Sequence, residues 1–227
     1  DIYPEQHAVD GRLITLQWTG YDLSNEVDAL LDMNWAQSVD EFREAVSRFK
    51  VPGQNVIYAD REGNIAQFTA AHVPIRTRNP VLIRQGWISG QDWNGYVNFE
   101  DLPHQVNPEK GWVANANNSI APSDYPYYLS VYWEPGSRYE RIRQYLSQNE
   151  VMTAPVFQVM QNDSYSEYAR RITAHILPVL KSAENPDYNT VISYLENWDY
   201  MYETSETAAS IMDVFLLTLS RNIFADE

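Results

Sequence analysis

The chain has 227 residues, with 16 Lys plus Arg against 31 Asp plus Glu, a formal net charge of −15 at neutral pH. A polyanion of this strength repels nucleic-acid phosphates and anionic lipid, so neither is a sensible partner. At 44% apolar and 13% aromatic residues it can bury a sizeable core and is globular rather than disordered, and the absence of cysteine removes disulfides, thiolate metal sites and cysteine nucleophiles.

From the N-terminus, no basic start, apolar run or small-residue cleavage site precedes Asp10, so no secretory signal is visible. Arg12 to Trp18 alternates and is rich in branched residues, which predicts a half-buried strand. A helix is expected from Asn25 to about Ala36. Another runs from Ser38 to about Phe49, because Ser38-Val39-Asp40-Glu41 is a capping box and Phe42, Ala45, Val46 and Phe49 recur at helical spacing. Asn55 to Ala59 and Asn64 to Ala70 flank Asp60-Arg61-Glu62-Gly63 and predict a hairpin. Residues 77 to 135, rich in Pro, Gly, Asn and Trp, read as ordered loops and short strands. Beyond them five helices are expected: Arg138 to Gln148, Ala154 to Asn162, Tyr165 to Leu180, Asp187 to Asn197, and Ser205 to about Phe224. Ile142, Tyr145 and Leu146 form the stripe of the first, and Ile211, Val214, Phe215, Thr218 and Leu219 that of the last. The longest apolar stretches fall far short of the roughly 20 residues that span a bilayer. The fold class is α+β, with a mixed strand and helix N-terminal half (8–135) and a mainly helical C-terminal half (136–227) in one composite unit over 1–227.

Chemistry is sparse in this pattern. His7, His72, His104 and His175 are scattered without metal or triad spacing, and no phosphate-binding glycine loop occurs. The acids Asp60, Glu62, Glu100, Asp101 and Asp124 are too numerous to single out a glycosidase pair. The distinctive segment is Gly111 to Ser119, with Asn115, Asn117 and Asn118. Three asparagines suit turns and left-handed backbone, yet an Asn amide held by its surroundings is also a neutral, preorganised donor for a developing oxyanion. Arg138, opening the next helix, is either a surface charge or part of a hydrogen-bonded site.

Trp18-Thr19-Gly20, Gln54 to Asp60, Gly63-Asn64-Ile65, Val73-Pro74-Ile75-Arg76, Trp93-Asn94-Gly95, Asn107-Pro108-x-x-Gly111 and Ala116-Asn117-Asn118-Ser119 occur in an order that resembles the penicillin acylase (penicillin amidase) family of N-terminal-nucleophile hydrolases. Leu195, Trp198 and Asp199 match the family's later Trp-Asp element, and Tyr200 stands where many members have Gly. The resemblance implies part of a layered αββα fold, in the middle of the family's β chain. It implies cleavage of linear carboxamides by an N-terminal Ser lying outside this segment, whose own α-amino group is the base; an α-amine with a pKa near 8 suits that task. It implies Asn117 as oxyanion-hole residue, Arg138 as the group ordering the nucleophile amine and substrate, Trp18 and Gln54 as acyl-pocket residues, and Asn55 as an organiser of the sheet. Gln54 departs from the apolar residue of the penicillin G enzymes. The family needs no cofactor, but binds structural calcium, to which Pro80 would lend a carbonyl. The implied partners are a small amide substrate, the remainder of the β chain and an α chain from the same precursor, in a periplasmic or secreted setting, with neither nucleic acid nor a membrane span. On this reading the segment alone is inactive. The alternatives from the residues themselves are a non-catalytic aromatic-rich binding module, given 7 Trp and 16 Tyr, or an inactive family member.

Overall fold

A computed structural model describes residues 14–76, 82–148 and 151–225. The chain divides into two compact units, Asp1–Asn115 with Ser119–Trp133, and Ala116–Asn118 with Glu134–Glu227. The first carries a sheet and the second is helical, as α+β patterning requires. Among the described residues no helix is long and apolar enough to cross a membrane.

In the sheet-bearing unit, residues 14–18 are not the expected strand. Thr15 makes a single bridge, and 15–18 are exposed, so the alternation has no buried face to serve. The chain then makes a 3₁₀ turn at Thr19–Tyr21. A Cβ at Gly20 would meet the half-exposed Trp18 indole, which would have to turn aside. Helix α1 (Glu26–Trp35) starts at Asn25, whose side chain accepts from the Asp28 N–H. Helix α2 (Val39–Ser47) starts at Ser38, which accepts from the Glu41 N–H; Glu41 reaches back to the Gln37 N–H at 2.8 Å, one residue outside the usual box. The hairpin forms as expected from β1 (Gln54–Ala59) and β2 (Ile65–Ala70), antiparallel, with Gln54 opposite Ala70. Asp60 knits its turn by accepting from the Glu62 and Asn64 N–H groups at 2.9 Å, and Gly63 supplies the φ of +90°. A third antiparallel strand, β3 (His104–Val106), pairs with β2. Phe68, Ala66 and Ala70 face α1 and α2, and with Ala29, Val46 and Phe49 form the core.

Several of the recognised segments prove to be structural joints of this unit. Asn107 sits at φ +46°; its Oδ1 accepts from the Ile65 N–H and its Nδ2 donates to Asn64 Oδ1, both at 2.9 Å. Gly111, at φ +72°, closes the Asn107-Pro108-x-x-Gly111 turn by donating to the Pro108 carbonyl at 2.8 Å. Val73 to Ile75 pair with Asn94 to Val97, and the Arg76 guanidinium lies over the rings of Trp93 and Tyr128.

The helical unit runs α3 (Ser137–Gln148), α4 (Ala154–Gln161), α5 (Glu167–Ser182), a 3₁₀ turn at Pro186–Tyr188, α6 (Asn189–Glu196) and α7 (Thr207–Phe224). All five expected helices are present. Their core is Ala169, Leu195, Trp198, Ala208, Ala209 and Met212. On α3 the stripe of Ile142, Tyr145 and Leu146 is half-buried as its spacing demands. On α7 the buried face is turned away from the expected one: Ala208, Ala209 and Met212 are sealed, Ile211, Phe215 and Leu216 pack beside them, and Val214 and Leu219 are exposed. Small residues at Ala208 and Ala209 allow close helix approach, which a search for bulky residues overlooks. The Trp198-Asp199 element is a fold device: Trp198 Nε1 donates to the Met201 carbonyl at 3.0 Å and Asp199 accepts from the Met201 N–H at 3.0 Å. That turn pairs back onto the entry to α5 through Ser166 N–H to the Tyr200 carbonyl (2.9 Å) and Tyr202 N–H to the Ser164 carbonyl (3.1 Å). Tyr200 occupies φ +67°, the left-handed region that glycine enters without strain.

Candidate functional site

The asparagine segment delivers one short piece, Ala116–Asn118, into the helical unit. Asn118 turns its Oδ1 back to accept from the Ala116 N–H at 3.1 Å, and Asn117 takes φ +61°, a conformation Asn tolerates better than most residues. The Asn117 carbonyl accepts from the Glu134 N–H at 3.0 Å. Arg138, on the first turn of α3, then donates through Nη2 to the Ala116 carbonyl at 2.9 Å and to Asn117 Oδ1 at 3.2 Å. Glu134, one turn earlier, stands 3.7 Å from the same nitrogen.

This contact decides which way the Asn117 amide faces. A guanidinium has donors only, so it can only meet the amide oxygen, and the Nδ2 protons are therefore turned to the opposite side. The cation also withdraws electron density through the bonded oxygen, making the amide a stronger donor. The result is a neutral amide on a left-handed backbone with a positive charge bonded to its oxygen, an arrangement whose N–H groups can donate to negative charge.

A cleft of about 400 Å³ adjoins Arg138, lined also by Arg141, Asp163, Tyr165, Glu167 and Tyr202. Three acidic groups of this cleft have shifted ionisation. Hydrogen bonds from Arg170, opposed by burial and aided by Arg171, hold the Glu167 carboxyl down to about 2. Burial works against ionising Asp163, but bonds from Arg141 and the Tyr165 N–H outweigh it and leave that carboxyl below its ordinary value. Burial, with Asp213 beside it, pushes the Tyr202 phenol up to about 12. These groups organise charge; at neutral pH none of the three is poised to exchange a proton.

Residues 2–227 match the family model described as penicillin amidase. The chain belongs to the penicillin amidase family. Among its relatives, the penicillin acylase 2 proenzyme of Pseudomonas sp. strain SE83 is 28% identical over 227 residues, 96% of this chain and 28% of that protein. The acyl-homoserine lactone acylase QuiP of Pseudomonas fluorescens strain Pf0-1 is 24% identical over 94% of this chain and 28% of its own length. A solved thermostable penicillin G acylase from Alcaligenes faecalis superposes with a TM-score of 0.60 at 23% identity, covering 83% of this chain and 34% of that one, and shares its fold. The chain thus spans little more than a quarter of the curated relatives it matches.

Of the residues singled out from the sequence, the structure brings Asn117 and Arg138 together. Trp18, Gln54 and Asn55 lie in the sheet-bearing unit. Trp18 is 53% exposed and makes an edge contact with Tyr21, with ring centroids 5.5 Å apart. Gln54 and Asn55 open β1 opposite Ala70 and Thr69, and both are exposed. Pro80 lies outside the described residues. Among the described residues no three acidic, His or Cys side chains group as a metal cage requires. His72 stacks on Tyr96 and His104 on Phe68, as packing residues. The sequence reading passed over Glu134, Arg141, Asp163 and Glu167. The i, i+4 spacing of Glu134 and Arg138, and of Glu167 and Arg171, was the available signal.

Proposed function

We propose that this chain is the oxyanion-bearing part of a longer amidohydrolase that cleaves linear carboxamides, among them N-acyl side chains of β-lactams, acyl-homoserine lactones or acylated peptides. The observation that carries this reading is the Arg138 to Asn117 contact, which turns the amide N–H groups away from the cation and strengthens them as donors. Family membership and the names of the relatives, penicillin acylase and acyl-homoserine lactone acylase, support the reaction class.

In this reading an N-terminal Ser elsewhere in the longer protein adds its Oγ to the amide carbon while its α-amine accepts the hydroxyl proton. Charge then moves to the carbonyl oxygen, where Asn117 Nδ2 donates to it; the alkoxide needs no proton while it is so held. Collapse breaks the C–N bond, and the leaving amine takes the proton from the α-ammonium. Water repeats the sequence on the acyl ester. Trp18 and Gln54 shape the acyl pocket, Asn55 steadies the sheet, and Arg138 orders the amine and substrate. The reaction needs no cofactor; calcium, with Pro80 as a carbonyl donor, serves structure only. A periplasmic or secreted setting, and assembly with a second chain from one precursor, belong to the same proposal.

The test is Asn117→Ala in the longer enzyme, assayed on chromogenic acyl anilides. The expected loss in kcat is roughly a hundred- to a thousand-fold. A loss under threefold with the fold intact overturns the assignment.

A further inference from the structure

We infer that Arg141, held by Asp163 and lying over the rings of Tyr145 and Tyr165, is a positioning residue that sets the rotation of α3 and so the reach of Arg138 to Asn117. The inference rests on the amidohydrolase reading above and adds a residue to it.

Arg141 lies one turn after Arg138 on α3, and both line the same cleft. Arg138 is half exposed, its carboxylate neighbour Glu134 is 3.7 Å away and equally exposed, and such a pair fixes little by itself. Arg141 is less exposed and has more partners. Its Nε donates to Asp163 Oδ2 at 2.5 Å and its Nη1 to Gln144 Oε1 at 2.9 Å. Its guanidinium carbon stands 4.4 Å from the Tyr165 ring centroid and 5.0 Å from that of Tyr145. The anchor is itself anchored: the Asp163 side chain is only 5% exposed, and its other oxygen accepts from the Tyr165 N–H at 3.0 Å.

Asp163 sits in the turn between α4 and α5, so the pair bolts α3 to that turn. A guanidinium bonded to a buried carboxylate and lying over two aromatic rings has little freedom to rotate, and a Lys could not replace its fork or its stacking. Rotation of α3 about its axis is therefore blocked at Arg141. One turn away, that is the motion that would draw the Arg138 Nη2 off the Asn117 oxygen and let the amide turn over. An ångström of misplacement at such a contact is enough to cost catalysis heavily.

A double-mutant cycle in the longer enzyme, on the same acyl anilides, separates this role from simple support of the fold. Arg141→Met is expected to lower kcat about tenfold with KM changed less than about twofold, and to lower it less than about twofold further when Asn117 is already Ala. Arg141→Lys, the milder variant should the first not accumulate as folded protein, is expected to lose about threefold with the same dependence on Asn117. An equal loss in both backgrounds, or no loss from Arg141→Met, overturns the inference. A loss under threefold from Asn117→Ala alone is a different result: it removes the oxyanion reading itself, and this inference falls with it.

Discussion

In the sheet-bearing unit Phe68 is sealed by helices that precede the hairpin, and β2 is pinned from the other side by residues some forty positions later: Asn107 to Ile65, and the Pro103 carbonyl to the Thr69 N–H and hydroxyl. In the helical unit more of the ties are local, although the turn at Tyr200 and Tyr202 bonds back to Ser166 and Ser164, far away in the chain. Glu167 is bonded by Arg170 and Arg171 on its own helix, and the core is closed by α5, α6 and α7 in succession. The contrast teaches where information sits. Helical periodicity marks a unit made of local ties, whereas a unit made of distant ties is marked by turn residues, each meaningful only once its partner is known.

The sharpest way to break the comparison is to open the sheet core. Phe68→Ala, at a fully buried side chain, should cost roughly 3–5 kcal/mol. Urea unfolding followed by near-UV circular dichroism and by ellipticity at 222 nm should show aromatic packing lost before helix content. Coincident loss of both signals would mean that the two units unfold as one.

A weaker perturbation addresses the local ties. Because the folded Glu167 carboxyl is depressed to about 2, its stabilisation is fully present above its unfolded pKa of 4.5. That stabilisation drains away as the pH falls from there through about 2. Its partners are half exposed, so the amount is about 1–2 kcal/mol. Glu167→Gln should remove it at neutral pH and flatten the acid limb of a stability curve measured by chemical denaturation. An acid limb as steep as that of the unsubstituted protein would count against the role given to this carboxylate.

The smallest effect tests which face of α7 is inside. Val214→Ser should change stability by less than about 0.5 kcal/mol, since that side chain is 65% exposed. A cost above about 1 kcal/mol would restore the stripe expected from the sequence.

Much of this was legible in advance, and the misses have physical causes. The Asp60 to Gly63 hairpin, both N-terminal caps and five C-terminal helices were readable because capping side chains and 3.6-residue repeats act within a few positions. Asn117 and Arg138 could be named as site residues only through the family resemblance, and that the cation meets the amide oxygen needed the fold. Residues 14–18 alternate without a face to bury, so the pattern misled. The face of α7 was missed because Ala208 and Ala209 pack by being small. Arg141 with Asp163 was invisible because they stand 22 positions apart with a whole helix between them.

Tyr200 holds a left-handed backbone that costs a tyrosine something and a glycine almost nothing, and its ring rests against those of Trp198 and Tyr165. The two terms oppose each other at one residue, so the sum changes little whichever is chosen. The hydrogen bond from the Ser166 N–H runs to the Tyr200 carbonyl, a backbone atom that glycine would present equally. A Tyr200→Gly change exchanges ring packing for backbone ease, and its net effect on stability is expected to be small.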